Sequence, residues 1–223
     1  MTVGTARLDM VYVPAGEFTM GSLNGWHDER PPHRVRLTRG FWIGRTEVTQ
    51  GLWRVVMGGN PAAFALGDNH PVERVSWNDC QEFLSRLNRM TGKEFRLPSE
   101  AEWEYACRAG STADRSAELD AIAWFAGNSG SSTHAVGQKR PNSLGLCDML
   151  GNVWEWCADG YDPAFYSHSP PADPLAPPIG IHRVDRGGAW CYGPDLVRPS
   201  RRDGSGPDYR VDMIGLRLTA SWL

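Results

Sequence analysis

The feature that most restricts the fold of this chain is a long irregular segment between two short motifs near its C-terminus. The motif Arg-Gly-Gly-Ala-Trp at 186–190 opens the segment, and Ile-Gly-Leu-Arg-Leu at 214–218 closes it. Between them the sequence shows neither strand alternation nor helical spacing, and three prolines exclude a regular helix. We expect a scaffold that fixes both ends of this segment and presents its loops to a partner.

The composition is that of a globular protein with much irregular backbone. The chain has 223 residues, 41% of them hydrophobic, which suffices for one sizeable core and predicts a single domain over residues 1–223. It also has 25 glycines, 16 prolines and 10 tryptophans, a combination that favours loops held together by large aromatic side chains. A net charge of −3 argues against nucleic acid as a partner, because nucleic-acid-binding domains concentrate Lys and Arg.

The sequence contains no apolar run long enough to span a bilayer, and its first seven residues lack the pattern of a secretion signal. We therefore expect no membrane insertion and a cytoplasmic location, or export if a leader has been removed. Five cysteines without a CxxC pair argue against a disulfide framework or a zinc ribbon. The six histidines show no spacing typical of a metal centre.

Local patterns predict strands near the N-terminus and helices in the first half of the chain. Residues 10–20 are predicted as a β-hairpin, and residues 33–37 and 41–43 as two strands that pair with each other. Three further segments begin at a capping residue, carry apolar side chains at helical spacing and end near a glycine, and so are predicted as helices: 49–58, 76–92 and 99–110.

Four motifs follow one another along the chain, at 13–21 (VPAGEFTMG), 97–106 (LPSEAEWEYA), 151–156 (GNVWEW) and 186–217 (RGGAW to GLR). In this order they resemble the sulfatase-modifying-factor family, whose founding member is the formylglycine-generating enzyme. The resemblance runs over nearly the whole chain. It implies an α+β, C-type-lectin-like fold that is rich in loops, with few short strands and two or three helices.

Enzymes of this family oxidise a cysteine of an unfolded sulfatase, using oxygen and a copper ion held by two cysteines. The resemblance places Cys191 about one residue before the first of these positions, and Leu196 where the second cysteine would follow. One thiolate cannot provide linear two-thiolate ligation of Cu(I), because the affinity for this soft metal comes from the thiolate pair. We therefore expect no copper, and keep a copper-dependent formylglycine-generating oxidase as the alternative function.

The C-terminal segment is more similar to non-catalytic members of the family, the variable proteins of diversity-generating retroelements. These proteins bind ligands through randomised positions near the C-terminus. The resemblance implies a non-catalytic ligand-binding protein with a variable region at 186–218, whose partner is a protein or another macromolecule. Many positions there carry residue types that changes at the adenines of an asparagine codon produce. The implied contact residues are Cys191, Tyr192, Gly193, Asp195, Leu196, Arg201, Asp203, Gly204, Ser205, Tyr209, Val211, Asp212 and Met213.

Other side chains are expected to support that surface. Tyr192 and Tyr209 are the better candidates for exposed aromatic contact. Three tryptophans are expected to pack in the core beneath the loops: Trp154, Trp156 and Trp190. Four arginines are candidates for buried pairs with Asp or Glu that fix the loops: Arg198, Arg202, Arg210 and Arg217.

Residues 148–155 are implied, by the same resemblance, to hold a structural calcium ion. In the enzymes the matching segment supplies two side-chain oxygens and two backbone carbonyls, which here would belong to Asp148, Glu155, Gly151 and Val153. Hard oxygen ligands at this spacing suit calcium. The alternative is that Asp148 and Glu155 cap turns or pair with arginines.

Overall fold

Short strands and helices are joined by long irregular connections in the computed structural model, which describes residues 1–114, 117–178 and 180–221. Within these ranges no helix is both long and apolar enough to cross a membrane. The strands are β1 (Thr2–Val3), β2 (Ala6–Arg7), β3 (Met10–Val13), β4 (Gly16–Met20), β5 (His33–Leu37), β6 (Phe41–Gly44), β7 (Phe95–Arg96), β8 (Trp154–Gly160), β9 (Arg183–Arg186), β10 (Arg202–Ser205), β11 (Ile214–Leu216) and β12 (Thr219–Ala220). The α-helices are α1 (Gln50–Met57), α2 (Trp77–Thr91), α3 (Glu100–Arg108) and α4 (Leu119–Ile122).

Two four-stranded sheets organise the fold. One has the strand order β10-β9-β8-β11 and the other β3-β6-β12-β7, while β1-β2 and β4-β5 form two-stranded ribbons. All pairs between these strands are antiparallel except β8 with β11. The predicted α+β class is confirmed. The described residues form more strands than we expected, and a fourth, one-turn helix.

The three predicted helices are confirmed because their signals are local. The Thr49 hydroxyl accepts a hydrogen bond from the first turn of α1, and Ser76 and Ser99 open α2 and α3 with complete capping boxes. One detail differs at the end of α3. Ala109 itself adopts the left-handed conformation there, with a φ of 46°, and Gly110 follows it with a φ of 87°.

The predicted N-terminal strand pairs are wrong. Residues 10–20 form two strands of different sheets, because β3 pairs with β6 and β4 pairs with β5. For the same reason the segments 33–37 and 41–43 do not pair with each other. Both pairs contribute to the core, β3 and β6 through Val13 and Ile43 and β4 and β5 through Met20 and Val35, so apolar pattern alone does not decide which strands pair.

Both ends of the irregular C-terminal segment belong to one sheet. The segment leaves β9 after Arg186 and returns at Ile214, the first residue of β11. Gly215 is required there, because a Cβ atom at this position would lie 2.4 Å from the Val72 carbonyl oxygen. The segment also contains the edge strand β10, which the sequence did not predict, because Arg-Asp-Gly-Ser carries no apolar side chain to alternate.

Candidate functional site

The candidate site is the surface formed by residues 191–213, which we call the C-terminal face. Of the thirteen predicted contact residues, twelve lie at the surface. Four are exposed: Cys191, Gly193, Asp195 and Tyr209. Eight are partly exposed: Tyr192, Leu196, Asp203, Gly204, Ser205, Val211, Asp212 and Met213. These twelve residues are therefore accessible to a partner, while their role in contact stays a prediction.

Arg201 differs from the other predicted contact residues because it is buried. Its Nη2 atom lies 3.0 Å from Oδ2 of Asp203, and its Nη1 lies 3.8 Å from Oδ2 of Asp28. The guanidinium carbon lies 5.0 Å from the centre of the Trp26 ring, a cation–π distance. Arg201 therefore supports the face from below.

Beneath the face lies a set of ion pairs that we call the buried ion-pair network. Its centre is Arg186, whose Nη1 lies 2.7 Å from Glu100 and whose Nη2 lies 2.6 Å from Glu104. Arg202 donates two hydrogen bonds to Glu100, at 2.7 and 2.9 Å. Burial alone would raise the pKa of Glu100, but Arg202 and Arg186 outweigh it and lower that pKa, so the carboxyl is ionised.

The network continues to the loop before β5. Arg198 donates two hydrogen bonds to Glu29, at 2.6 and 2.9 Å, and a third to the Ser200 hydroxyl at 2.8 Å. Arg202 also donates to the Asp28 carbonyl oxygen at 3.2 Å. The prediction that Arg198 and Arg202 form buried pairs is confirmed, and these pairs fix the backbone of residues 198–202.

A separate buried pair fixes the other end of the face. Arg217 binds both carboxylate oxygens of Glu155, at 2.7 to 3.0 Å, and donates to the carbonyl oxygens of Gly44, Cys147 and Asp148. The predicted buried pair at Arg217 is thus confirmed. The prediction of a buried pair is wrong for Arg210. The Arg210–Asp79 pair lies at the surface, where it joins the face to the start of α2.

One of the four residues implied as calcium ligands, Glu155, is occupied by other partners in this arrangement. Both oxygens of Glu155 already accept hydrogen bonds from Arg217, and Oε2 also accepts one from Trp103. The guanidinium supplies the positive charge that a calcium ion would bring. Asp148 accepts a hydrogen bond from the Gly137 amide through Oδ2, whereas its buried Oδ1 has no hydrogen-bond partner among the described residues. Calcium at Asp148, Gly151, Val153 and Glu155 stays a prediction that the geometry does not favour.

The tryptophans expected beneath the face lie there. Trp154 and Trp156 are buried, and the Trp156 indole donates a hydrogen bond to the Val75 carbonyl oxygen at 2.9 Å. Trp190 is half-buried and its indole donates to the Asp212 carbonyl oxygen at 3.1 Å. Tyr192 packs edge-on against Trp154, with 5.8 Å between ring centres. Tyr192 is therefore partly a core residue, whereas Tyr209 is 47% exposed.

Cys191 has a thioether rather than a second thiol beside it. Its Sγ atom lies 3.6 Å from Sδ of Met213. The other four cysteines are buried: Cys80, Cys107, Cys147 and Cys157. Burial raises the pKa of the Cys191 thiol above its usual value, which disfavours the thiolate that a soft metal or an oxidation would need.

Two features near the face were not found from the sequence. Leu23 and Trp26 are 69% and 54% exposed, on a loop that the buried ion-pair network joins to residues 198–202. Asp185 on β9 lies directly opposite Asp203 on β10 but is only 2% exposed. Burial and then the neighbouring Asp203 raise the pKa of Asp185 to about 8. The only available signal was a charged residue inside a short strand.

Comparison with known proteins agrees with this architecture. The model of the sulfatase-modifying factor enzyme 1-like domain matches residues 3–221. The formylglycine-generating enzyme of Streptomyces coelicolor is 38% identical over an alignment that covers 93% of this chain and 87% of the relative. Among solved structures, variable protein 1 of Treponema denticola has a TM-score of 0.91 at 33% identity, covering 99% of this chain and 98% of that one.

A second solved structure shows the same fold. PvdO from Pseudomonas aeruginosa has a TM-score of 0.84 at 30% identity, covering 94% of this chain and 93% of that one. The match therefore includes an enzyme and a variable protein on one scaffold, the C-type-lectin-like fold of the formylglycine-generating enzyme type. On the family match over residues 3–221 and these similarities, the chain belongs to the sulfatase-modifying-factor family.

Proposed function

We propose that this chain is a non-catalytic ligand-binding protein, the variable protein of a diversity-generating retroelement. Its C-terminal face contacts a protein or another macromolecular ligand. The observation that carries the proposal is the separation of roles within one segment. The arginines of residues 186–202 form the buried ion-pair network, while most of the residues between them and after them reach the surface.

The similarity to variable protein 1 of Treponema denticola supports the same proposal, since it extends over both chains almost completely. The face is also chemically mixed, with an exposed tyrosine, aspartates, glycines and a serine. Tyrosine provides rigid contact area at low entropic cost, and small polar residues adapt their hydrogen bonds to the ligand.

The retroelement part of the proposal is tested in the DNA. We expect a reverse transcriptase gene nearby and a second copy of the codons for residues 186–218 that differs only at adenines. If neither is present, the retroelement origin is wrong and a generic binding domain remains.

The binding part is tested by site-specific photo-crosslinking in the native host. A benzoylphenylalanine at Tyr209 is expected to crosslink one defined protein or other macromolecule. The matched control is the same group at Met90, an exposed residue at the far end of α2. The proposal fails if position 209 gives no product, or only the products that position 90 gives.

The alternative function is a copper-dependent formylglycine-generating oxidase, which the 38% identity to the Streptomyces enzyme favours. Its test is oxygen consumption with copper and a peptide containing Cys-x-Pro-x-Arg. Turnover that depends on Cys191 would replace the binding proposal, while its absence is the expected result because Leu196 stands where the second thiolate would lie.

A further inference from the structure

Negative charge exceeds positive charge at one place under the C-terminal face. The guanidinium of Arg201 lies between the carboxyls of Asp28 and Asp203, and Asp185 lies directly opposite Asp203 on the next strand. Three carboxyls thus share one arginine. The charged groups that face Asp185 are Asp203 and Arg201 from β10 and its approach, and Arg186 on its own strand.

Two of these carboxyls carry a buried oxygen without a hydrogen-bond partner among the described residues. They are Oδ2 of Asp185 and Oδ1 of Asp28. Asp28 still accepts a hydrogen bond from the Tyr161 hydroxyl at 2.7 Å, and Asp185 interacts with the Ser205 hydroxyl. A buried polar oxygen without a hydrogen-bond partner costs about 1–3 kcal/mol, so each of these atoms marks a place where a partner is missing.

The unpartnered oxygen of Asp185 lies next to exposed groups. Residues directly opposite on antiparallel strands project to the same side of the sheet, with Cα atoms about 4.5–5.5 Å apart. Asp203 and Ser205 are partly exposed on that side. Tyr192 is close to the same carboxyls. Burial is the main cause that raises the pKa of its hydroxyl, and the charges of Cys191, Asp203 and Asp185 raise it further. Asp185 is thus buried next to three partly exposed residues of the C-terminal face: Tyr192, Asp203 and Ser205.

We propose that Asp203 and Asp185 form a recognition site for an arginine side chain of a protein ligand, an inference that rests on the proposed function of the C-terminal face. A guanidinium presents two parallel N–H donors, which two carboxylates side by side can accept at once. An ammonium lacks this planar fork. The ring of Tyr192 adds an aromatic surface for a cation.

The neighbouring cations pair with Asp203 or with other groups rather than with Asp185. Arg201 is held by Asp203, Asp28 and the ring of Trp26. Arg183, on the same side of β9 as Asp185, directs its guanidinium to the ring of Trp77, 5.0 Å away, and to the carbonyl oxygens of residues 180 and 182. With Asp185 protonated, as its raised pKa implies at pH 7, the group of Asp28, Asp203 and Arg201 still carries a net charge of about −1, which a ligand arginine offsets.

Binding at this site releases a proton. Because the pKa of Asp185 is about 8 in the free protein, this carboxyl is mostly protonated at pH 7. A guanidinium beside it favours the ionised form, so the proton passes to the buffer and the N–H of the ligand takes its place on Oδ2. The affinity for an arginine ligand therefore increases as the pH rises from 6 towards 8.

The test is calorimetric titration of the protein with a hexa-arginine peptide at low salt and pH 7. We expect one strong site and a proton release that is read from two buffers of different ionisation enthalpy. Asp203→Asn and Asp185→Asn each weaken Kd by about tenfold or more, and Asp185→Asn also abolishes the proton release. The matched control Glu17→Gln removes the same charge from the exposed surface of β4 and changes Kd less than about twofold.

Other outcomes would contradict the proposed arginine site. If all three variants weaken binding equally, the peptide responds only to net charge. If Asp203→Asn binds like the wild type, or no proton is released, Asp185 is a protonated structural acid and no arginine site exists. Asp203 is partly exposed, so its variant is informative even if Asp185→Asn fails to fold. These results are independent of crosslinking from position 209, which tests whether the face binds a macromolecule at all.

Discussion

The buried ion-pair network and the C-terminal face are built from the same stretch of chain but differ in how their charges are satisfied. Below, Arg186, Arg198 and Arg202 bind carboxylates that are themselves buried. Above, Asp195, Asp203, Tyr209 and Asp212 lie at the surface. Under the proposed binding function, stability and recognition therefore depend largely on different residues of one segment, so that one can change without the other.

The comparison predicts its largest effect at the centre of the network. Arg186→Met leaves Oε2 of Glu104 and the Pro199 carbonyl oxygen without their donor. We expect a loss of about 3–5 kcal/mol in the free energy of unfolding, measured with urea. Arg210→Met, at an exposed pair, is the control and costs less than about 1 kcal/mol. Equal losses of unfolding free energy for the two variants would mean that the buried network contributes no more to stability than an exposed ion pair.

The next effect is a pH dependence at Asp185. An acid whose pKa is about 8 in the folded state and about 3.9 unfolded binds a proton on folding between these values, so stability falls as the pH rises from 4 to 8. Asp185→Asn removes this penalty and is expected to stabilise the protein by about 1–3 kcal/mol at pH 8, and much less at pH 5. Urea unfolding at the two pH values measures it. A uniform loss at both values would mean that the carboxyl is needed for packing.

A smaller effect separates the two tyrosines of the face. Tyr192→Ala removes a ring that packs on Trp154 and is expected to cost about 1–3 kcal/mol. Tyr209→Ala changes an exposed side chain and should stay within about 0.5 kcal/mol. Thermal unfolding of both variants checks this order. The reverse order would mean that Tyr209, and not Tyr192, contributes to the core.

The smallest expected effect concerns calcium. Since Arg217 occupies both oxygens of Glu155, we expect the Tm in 1 mM calcium chloride and in excess chelator to differ by less than about 1 °C. Differential scanning calorimetry measures the difference, with magnesium chloride as the control. A calcium-specific rise of several degrees would restore the ion predicted at Asp148 and Glu155.

The sequence correctly predicted the three longer helices, because their ends depend on interactions between residues that are close in the chain. The capping residues Thr49, Ser76 and Ser99 located three helices, because a cap acts within one turn. Three buried arginines were also predicted, Arg198, Arg202 and Arg217, but not their partners, since Arg198 meets Glu29 across 169 residues of chain. Arg186, the centre of the network, was not predicted as a buried pair.

The rest depends on strand register, which a single sequence does not reveal. The N-terminal hairpin failed because β3 and β4 pair with strands further along the chain. Asp185 became a candidate site only when the register set it opposite Asp203, and Arg201 proved buried because Asp28 and Trp26 approach it from the N-terminal third.

Because β12 follows the C-terminal face in the sequence, the fold depends on a reading frame that stays intact through the face. Thr219–Ala220 lies between β6 and β7, which have no other strand to join them in that sheet. A nonsense or frameshift change anywhere in the codons for residues 191–213 therefore deletes or scrambles this middle strand. Such a product leaves strand edges unpaired and is exposed to proteases, so we expect folded protein only from genes with an intact reading frame through this segment.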